Sequence, residues 1–214
     1  MSVEILEDMK KSIIEYDAEG AVSCARKPVQ EKMDPIKVLD AITEAIREVG
    51  DGFGRGELWL PDLVGAADAM SSAMPILEQE IKRRGVKRAS LGTIVIGTVY
   101  GDIHNIGKNM VCGLLTAEGF TVHDLGINVT ADQSIDGIKK FKPDILAMSA
   151  LMTTTAPEQK KVIDALRKEG IRDKVKIMVG GGGITQEFSD NIGADGYDPT
   201  AIGAVKLARS LVGK

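Results

Sequence analysis

The chain has 214 residues, 43% hydrophobic, 27% charged and 4% aromatic, and its 27 Lys and Arg against 31 Asp and Glu leave a formal charge of −4 at pH 7. This composition excludes disordered and collagen-like classes, and the length suits one large domain or two of about 100 residues, each able to bury a core. The acidic balance excludes a phosphate-tracking nucleic-acid binder, because the one dense basic cluster, Lys82-Arg83-Arg84 with Lys87-Arg88, reads as a solvated helix end and linker.

Met1-Ser2-Val3-Glu4 runs straight into charged residues and no stretch reaches the roughly 18 apolar residues that span a bilayer, so the expectation is a cytoplasmic protein without a membrane segment. Residues 1–88 show apolar positions at helical spacing and no strand: Ile5, Leu6, Met9 and Ile13, then Val38, Leu39, Ile42, Ala45, Ile46 and Val49. The spacing predicts four helices. Asp17 ends the first, Asp34 and Pro35 supply an N-cap and N1 for the third, and Gly50-Asp51-Gly52-Phe53-Gly54 reads as a glycine break. Leu60-Pro61-Asp62 opens the fourth, which carries Leu63, Ala66, Ala67, Met70, Met74 and Leu77 and is expected to kink at Pro75. Cys24 and Cys112 lie 88 positions apart in helical segments, which fits reduced core cysteines and neither a disulfide framework nor a CxxC site.

Beyond the linker at 85–88 the pattern changes to short aliphatic runs alternating with helical ones. The runs are Thr93–Gly97, Thr121–Leu125, Asp144–Met148 and Val175–Val179, with helices expected near 106–118, 131–141, 157–169, 184–191 and 200–212. This alternation predicts a doubly wound α/β fold with a parallel sheet, whose ligands bind beyond the carboxyl ends of the strands. The loops after the first, third and fourth of these runs therefore matter most.

The first loop, Gly97 to Asn109, contains a Gly107-Lys108 pair, but a Walker A loop would need glycine at position 102, where Asp stands, and a hydroxyl at 109, where Asn stands. It does contain Asp102-x-His104, a spacing at which the carboxylate can hold one imidazole nitrogen while the other meets a metal; a hydrogen-bonded loop histidine is the equally open alternative. The second loop, Ser149-Ala150-Leu151-Met152-Thr153-Thr154-Thr155, is rich in hydroxyls, with Thr155 also placed to cap the helix at Pro157. The third is Gly180-Gly181-Gly182-Gly183. Hydroxyls after one strand and bare backbone after the next suggest a slot for a flat ligand.

Together these elements resemble the cobalamin-binding domain of the methionine synthase and corrinoid-protein superfamily, whose signature is Asp-x-His-x-x-Gly, about 41 residues, Ser-x-Leu, under 30 residues, then Gly-Gly. Here Asp102-x-His104-x-x-Gly107 is followed after 41 residues by Ser149-x-Leu151 and after 28 more by Gly180-Gly181. The first half, with Gly52–Pro61 and Ala66-Ala67-Asp68-Ala69-Met70, resembles the helical cap that accompanies that domain. The resemblance implies a four-helix bundle cap over 1–88 and a flavodoxin-like, Rossmann-like five-stranded domain over 89–214. Its length is similar to that of the free-standing corrinoid proteins of methylamine and methanol methyltransferase systems.

By this resemblance His104 would be the lower axial ligand to cobalt in a base-off, His-on cobalamin, with Asp102 and Thr155 as its relay. Ser149 and Thr153 would contact the inserted nucleotide tail, with Gly107, Gly180, Gly181 and Gly182 lining its pocket and Asn105, Ile106 and Leu151 beside it. Trp59, Leu60 and Met70 would approach the upper, methyl-bearing face, and the segments at 50–56 and 85–90 would be hinges. The implied function is a methyl carrier, a subunit of a multi-component system rather than a complete enzyme. Cob(I)alamin would accept a methyl group from a substrate-specific methyltransferase, with methylamine favoured. Methylcobalamin would deliver it to a second methyltransferase acting on tetrahydrofolate or coenzyme M, with a reductive activation protein as a further partner. A cobalamin-dependent sensor is the alternative; its Glu-His pair ten residues after the cap tryptophan is here Ala69-Met70. A mutase small subunit would lack the four helices.

Overall fold

The computed structural model describes residues 2–31, 33–85 and 90–213, and the chain divides into two compact units, Met1–Ala89 and Ser90–Lys214. The first is built from α1 (Ser2–Ile14), α2 (Ala18–Glu31), α3 (Pro35–Gly54) and α4 (Leu60–Arg83). Their apolar stripes close one core, in which Met9, Ile13, Ala21, Ile42, Ala69, Ala73 and Leu77 are fully buried. The capping residues set the helix starts. Asp17 Oδ1 accepts from Gly20 N–H at 2.9 Å, and Asp34 Oδ1 accepts from Ile36 N–H at 3.0 Å with Pro35 behind it at N1.

One sequence expectation changes here. The glycines at 50–54 do not break the helix: α3 runs through them to Gly54 and ends at Arg55. The reason is local packing, since a Cβ on Gly52 would come within 3.0 Å of Leu58 Cδ1, and the Gly52 carbonyl accepts from Glu57 N–H at 2.9 Å. The expected hinge at 50–56 is therefore mostly helix. The other expected hinge, 85–90, lies largely outside the described residues. α4 continues past Pro75 as one helix, and ends where Glu80 accepts from Arg83 Nε at 2.7 Å and Arg84 Nε at 2.5 Å. Among the described residues no helix is long and apolar enough to cross a membrane.

The second unit is a five-stranded sheet, entirely parallel, in the order β2-β1-β3-β4-β5. Its strands are β1 (Thr93–Thr98), β2 (Thr121–Asp124), β3 (Ile145–Ser149), β4 (Lys176–Gly180) and β5 (Gly196–Tyr197). Between them run α5 (Ile106–Glu118), α6 (Ala131–Phe141), α7 (Pro157–Lys168) and α8 (Gln186–Ile192), and α9 (Ala201–Leu211) follows. Strand alternation sends Ile94, Ile96, Ile145, Ala147 and Met178 toward α5 and α9, and Val95, Leu146, Met148, Ile177 and Val179 toward α6, α7 and α8. Thr130, Thr185 and Thr200 cap α6, α8 and α9 through their side chains. The chain leaves β1 for β2 on one side and returns to β3 on the other, so the strand order reverses between β1 and β3. Their carboxyl ends form the crevice where such sheets bind ligands.

Candidate functional site

At that crevice the loop after β1 turns through Gly101, whose φ is +77, and buries Asp102 completely. Asp102 Oδ1 accepts from the His104 backbone N–H at 3.0 Å and faces His104 Nδ1 at 2.8 Å. Its Oδ2 accepts from Leu151 N–H at 2.8 Å, Met152 N–H at 3.3 Å and the Thr155 hydroxyl at 2.7 Å, all from the β3–α7 loop. Burial alone would raise the Asp102 carboxyl, but the donors from the His104 backbone, the Thr155 hydroxyl, the His104 ring and the Leu151 backbone outweigh it and hold the group well below the usual aspartate range.

An ionised carboxylate only accepts, so the His104 nitrogen facing it carries the proton. The neutral ring is then the Nδ1–H tautomer, with the lone pair on Nε2. The His104 side chain is 46% exposed, whereas that of Asp102 is wholly buried. One imidazole nitrogen is thus fixed from below while the ring stays accessible. Among the described residues no three His, Cys, Asp or Glu side chains gather as a metal cage. A metal here would receive one protein ligand and the rest from a group that brings its own.

The loop is clamped from other directions as well. Asn128, in the left-handed region at φ 56, accepts from Gly101 N–H through Oδ1 at 2.7 Å and gives its own N–H to the Asp102 carbonyl at 3.1 Å. Thr98, fully buried at the end of β1, donates its hydroxyl to the His104 carbonyl at 3.2 Å. Lys108 is nearly as buried and pairs with Asp124, while Nζ also donates to Asn109 Oδ1 at 2.9 Å. Its ammonium is thus committed to tying α5 to β2, in keeping with the failed phosphate-loop match.

Register sets Thr98 beside Ser149 and Ser149 beside Gly180, and alternation turns this row toward the side of α5 and α9. Two hydroxyl residues and a glycine there replace the aliphatic residues found deeper in the sheet. Gly107, in the first turn of α5, has open space where a Cβ would stand. Asn105 is the N-cap of α5 without a side-chain cap bond, and Thr153 is exposed on the β3–α7 loop.

The glycine run behaves differently from expectation. A Cβ on Gly181 would lie 2.2 Å from the Ala150 carbonyl oxygen, and one on Gly183 would lie 2.7 Å from the Met152 carbonyl carbon. At these two points the loops pack backbone against backbone, and the missing side chains let the β3–α7 loop sit down. A Cβ on Gly182 would lie 2.9 Å from Leu151 Cδ1, the end of a side chain. Thr155 does not cap α7 with its side chain, because its hydroxyl is turned to Asp102 and the N-cap is Ala156. The Thr155 methyl lies 3.7 Å from where a Cβ on Gly101 would stand, and its hydroxyl reaches Asp102 Oδ2 at 2.7 Å.

Sequence reasoning missed Thr98, Asn128 and all of an apolar rim except Ile106 and Leu151. Among the described residues, every exposed large hydrophobic side chain of the second unit lies at this end: Tyr100, Ile103, Ile106, Ile127, Leu151 and Met152. All six sit in the loops after β1, β2 and β3 or at the start of α5. Scattered exposed apolar residues are ordinary, but a patch confined to one rim marks a binding surface. The signal was present as isoleucines and a tyrosine in loops that should be polar.

In the first unit, Trp59 is 73% exposed, and its backbone N–H donates to Asp62 Oδ2 at 2.6 Å at the start of α4. Leu60 begins α4, and its side chain lies outside the described residues. Met70 is buried, 1% exposed, and is a core residue rather than part of an open surface.

Comparison with known proteins gives the following. Residues 92–206 match the B12 binding domain family, and residues 5–78 match a second B12 binding domain family. The chain is 41% identical over 210 residues to the trimethylamine corrinoid protein of Methanosarcina barkeri, covering 98% of this chain and 97% of that one. It is 39% identical to the dimethylamine corrinoid protein 2 of Methanosarcina acetivorans, covering 98% of this chain and 96% of that one. A crystal structure of the methanol:cobalamin methyltransferase complex of Methanosarcina barkeri superposes with a TM-score of 0.81 at 32% identity, covering 98% of this chain and 80% of that one. A cobalamin-binding protein of Desulfitobacterium hafniense gives 0.73 at 28% identity, covering 96% and 98%.

Proposed function

The chain belongs to the corrinoid proteins that carry a B12 binding domain, and from that premise we propose that it is a methyl carrier whose cobalamin is held by His104 in the base-off, His-on state. The observation that carries this reading is the exposed His104 ring, held through Nδ1 by the buried, ionised Asp102 and surrounded by an apolar rim. Those residues fit the group: one nitrogen for the metal, an apolar surface for a flat macrocycle, and the polar row Thr98, Ser149 and Gly180 with open space at Gly107 for a nucleotide tail.

When bound, cobalamin supplies a cobalt centre that accepts and gives up a methyl group. The protein's part is ligation and control of the proton. Asp102 keeps His104 in the tautomer that presents Nε2, and the Thr155 hydroxyl extends the hydrogen-bond chain on which a proton could be held at the imidazole–carboxylate pair. Thr153, Gly181 and Gly182 are assigned to the tail side of the site. In the helical unit the exposed Trp59 is the residue proposed to meet the cofactor, where an aromatic side chain would keep water from the metal, with Leu60 as a lesser contributor; Met70, buried in that unit's core, is not assigned to it.

The partners in this reading are a substrate-specific methyltransferase, a second methyltransferase acting on tetrahydrofolate or coenzyme M, and a reductive activation protein. A methylamine donor is favoured by the names of the relatives, trimethylamine and dimethylamine corrinoid proteins. The test is an absorption spectrum after loading with hydroxocobalamin and desalting, beside His104→Ala. Retention with a spectrum changed by the substitution is expected; a folded wild-type protein that retains no cobalamin would sink the reading.

A further inference from the structure

Gln159, the third residue of α7, is fully buried beneath the site without touching Asp102 or His104. Its Nε2 donates to the Met148 carbonyl at 3.0 Å and reaches the Gly180 carbonyl at 3.4 Å, while its Oε1 has no partner. Turning the amide over would set Oε1 against two carbonyl oxygens, so the chemistry of its neighbours fixes its orientation. An aliphatic side chain would fill the same space without burying an orphan acceptor. What the amide adds is a bond from α7 to the ends of two strands.

Met148 lies next to the end of β3 and Gly180 ends β4. The chain between Met148 and Gln159 is the loop whose Leu151 N–H, Met152 N–H and Thr155 hydroxyl hold Asp102 Oδ2. One end of that loop leaves the sheet and the other enters α7, and Gln159 joins the two. Thr155 precedes it by four residues, so the bond that seats Gln159 against the sheet also sets where the Thr155 hydroxyl meets the carboxylate.

We propose that Gln159 is a positioning residue for the Asp102–His104 pair: by closing the β3–α7 loop it fixes the three donors that orient Asp102, and thereby which nitrogen of His104 offers its lone pair. The tautomer part of this stands on the geometry alone; its consequence for cobalt rests on the carrier reading above.

The experiment reads the imidazole directly. Apoprotein labelled with 15N-histidine is measured at a pH where the rings are neutral, with His104 assigned by His104→Ala; the chain has only two histidines, and His123, stacked on Phe141, is the internal reference. Wild type is expected to be predominantly Nδ1–H. Gln159→Met and Gln159→Leu, folded by circular dichroism, are expected to raise the Nε2–H share of His104 several-fold and leave His123 unmoved. Ser189→Ala, which removes the other buried side-chain atom without a partner among the described residues, is expected to change neither ring. After loading with hydroxocobalamin and reduction to Co(II), the Gln159 variants are expected to retain cobalamin while losing part of the nitrogen splitting in their electron paramagnetic resonance spectra.

A wild-type tautomer ratio in a folded Gln159 variant overturns the proposal whatever the cobalt spectrum shows. Failure of both variants to fold overturns it too, because the amide is then a requirement of the core. Wild-type protein that binds no cobalamin overturns the carrier reading instead and leaves the tautomer result standing.

Discussion

Asp102 shows how a single residue is specified by chemistry and not by packing. Its two oxygens meet five donor groups, and the sum keeps a fully buried carboxyl ionised, below its ordinary value of 3.8. A folded-state value below the unfolded one means that the stabilisation is complete above the ordinary aspartate range and drains away as the pH falls through it toward the lower folded value. Unfolding free energies measured between about pH 7 and pH 3 should therefore fall more steeply in wild type than in Asp102→Asn, which cannot titrate; parallel curves would contradict the assignment. Thr155→Val keeps the shape and removes one donor, and should cost about 1–3 kcal/mol by denaturant titration, whereas Thr155→Ser keeps the bond and should cost less. The sequence exposes Asp102 and His104 because their spacing is itself the chemical signal, whereas Thr155 reads from its neighbours as a helix cap and enters the site only through the family resemblance. Thr98, Asn128 and Gln159 are hidden because each acts through a backbone N–H or carbonyl of another residue, and a backbone group leaves no mark in the residue types that a sequence spacing records.

At the level of elements, the glycines separate into those that bend the chain and those that let it approach. Gly181 combines a φ of +110 with a neighbouring carbonyl oxygen 2.2 Å from where a Cβ would be. Gly181→Ala should therefore lift the β3–α7 loop and destabilise the fold by about 2–4 kcal/mol in chemical denaturation, with a loss of cobalamin retention. Gly52 is the contrary case: it sits inside α3, packed on Leu58, and a sequence reading that treats clustered glycines as a break ends the helix too early. Helix starts were legible because capping is local, as at Asp34, where Asp34→Ala should lower stability by about 1 kcal/mol in thermal unfolding. The strand and helix alternation was legible for the same reason. The close backbone approach of the glycine loop to the β3–α7 loop was not, since which loops pack on each other depends on the third dimension.

For the molecule as a whole, two units of different architecture share one chain, and the second carries a sheet whose reversal point coincides with the candidate site. Ligand linkage gives a further check: free hydroxocobalamin at 100 times its dissociation constant should add about 2.7 kcal/mol to the stability of the unit that binds it, seen as a higher unfolding midpoint that is reduced in His104→Ala. The exposed rim of Tyr100, Ile103, Ile106, Ile127, Leu151 and Met152 also bears on the life of the chain before any cofactor arrives. A newly made copy presents an adhesive face to the cell, and that face is open to chaperones, proteases and other copies until a flat apolar partner covers it. If cobalamin is that partner, its supply would bear on how much of the protein persists as well as on what it does: the amount of protein surviving a protease challenge in extracts of cobalamin-starved cells should fall while its rate of synthesis does not.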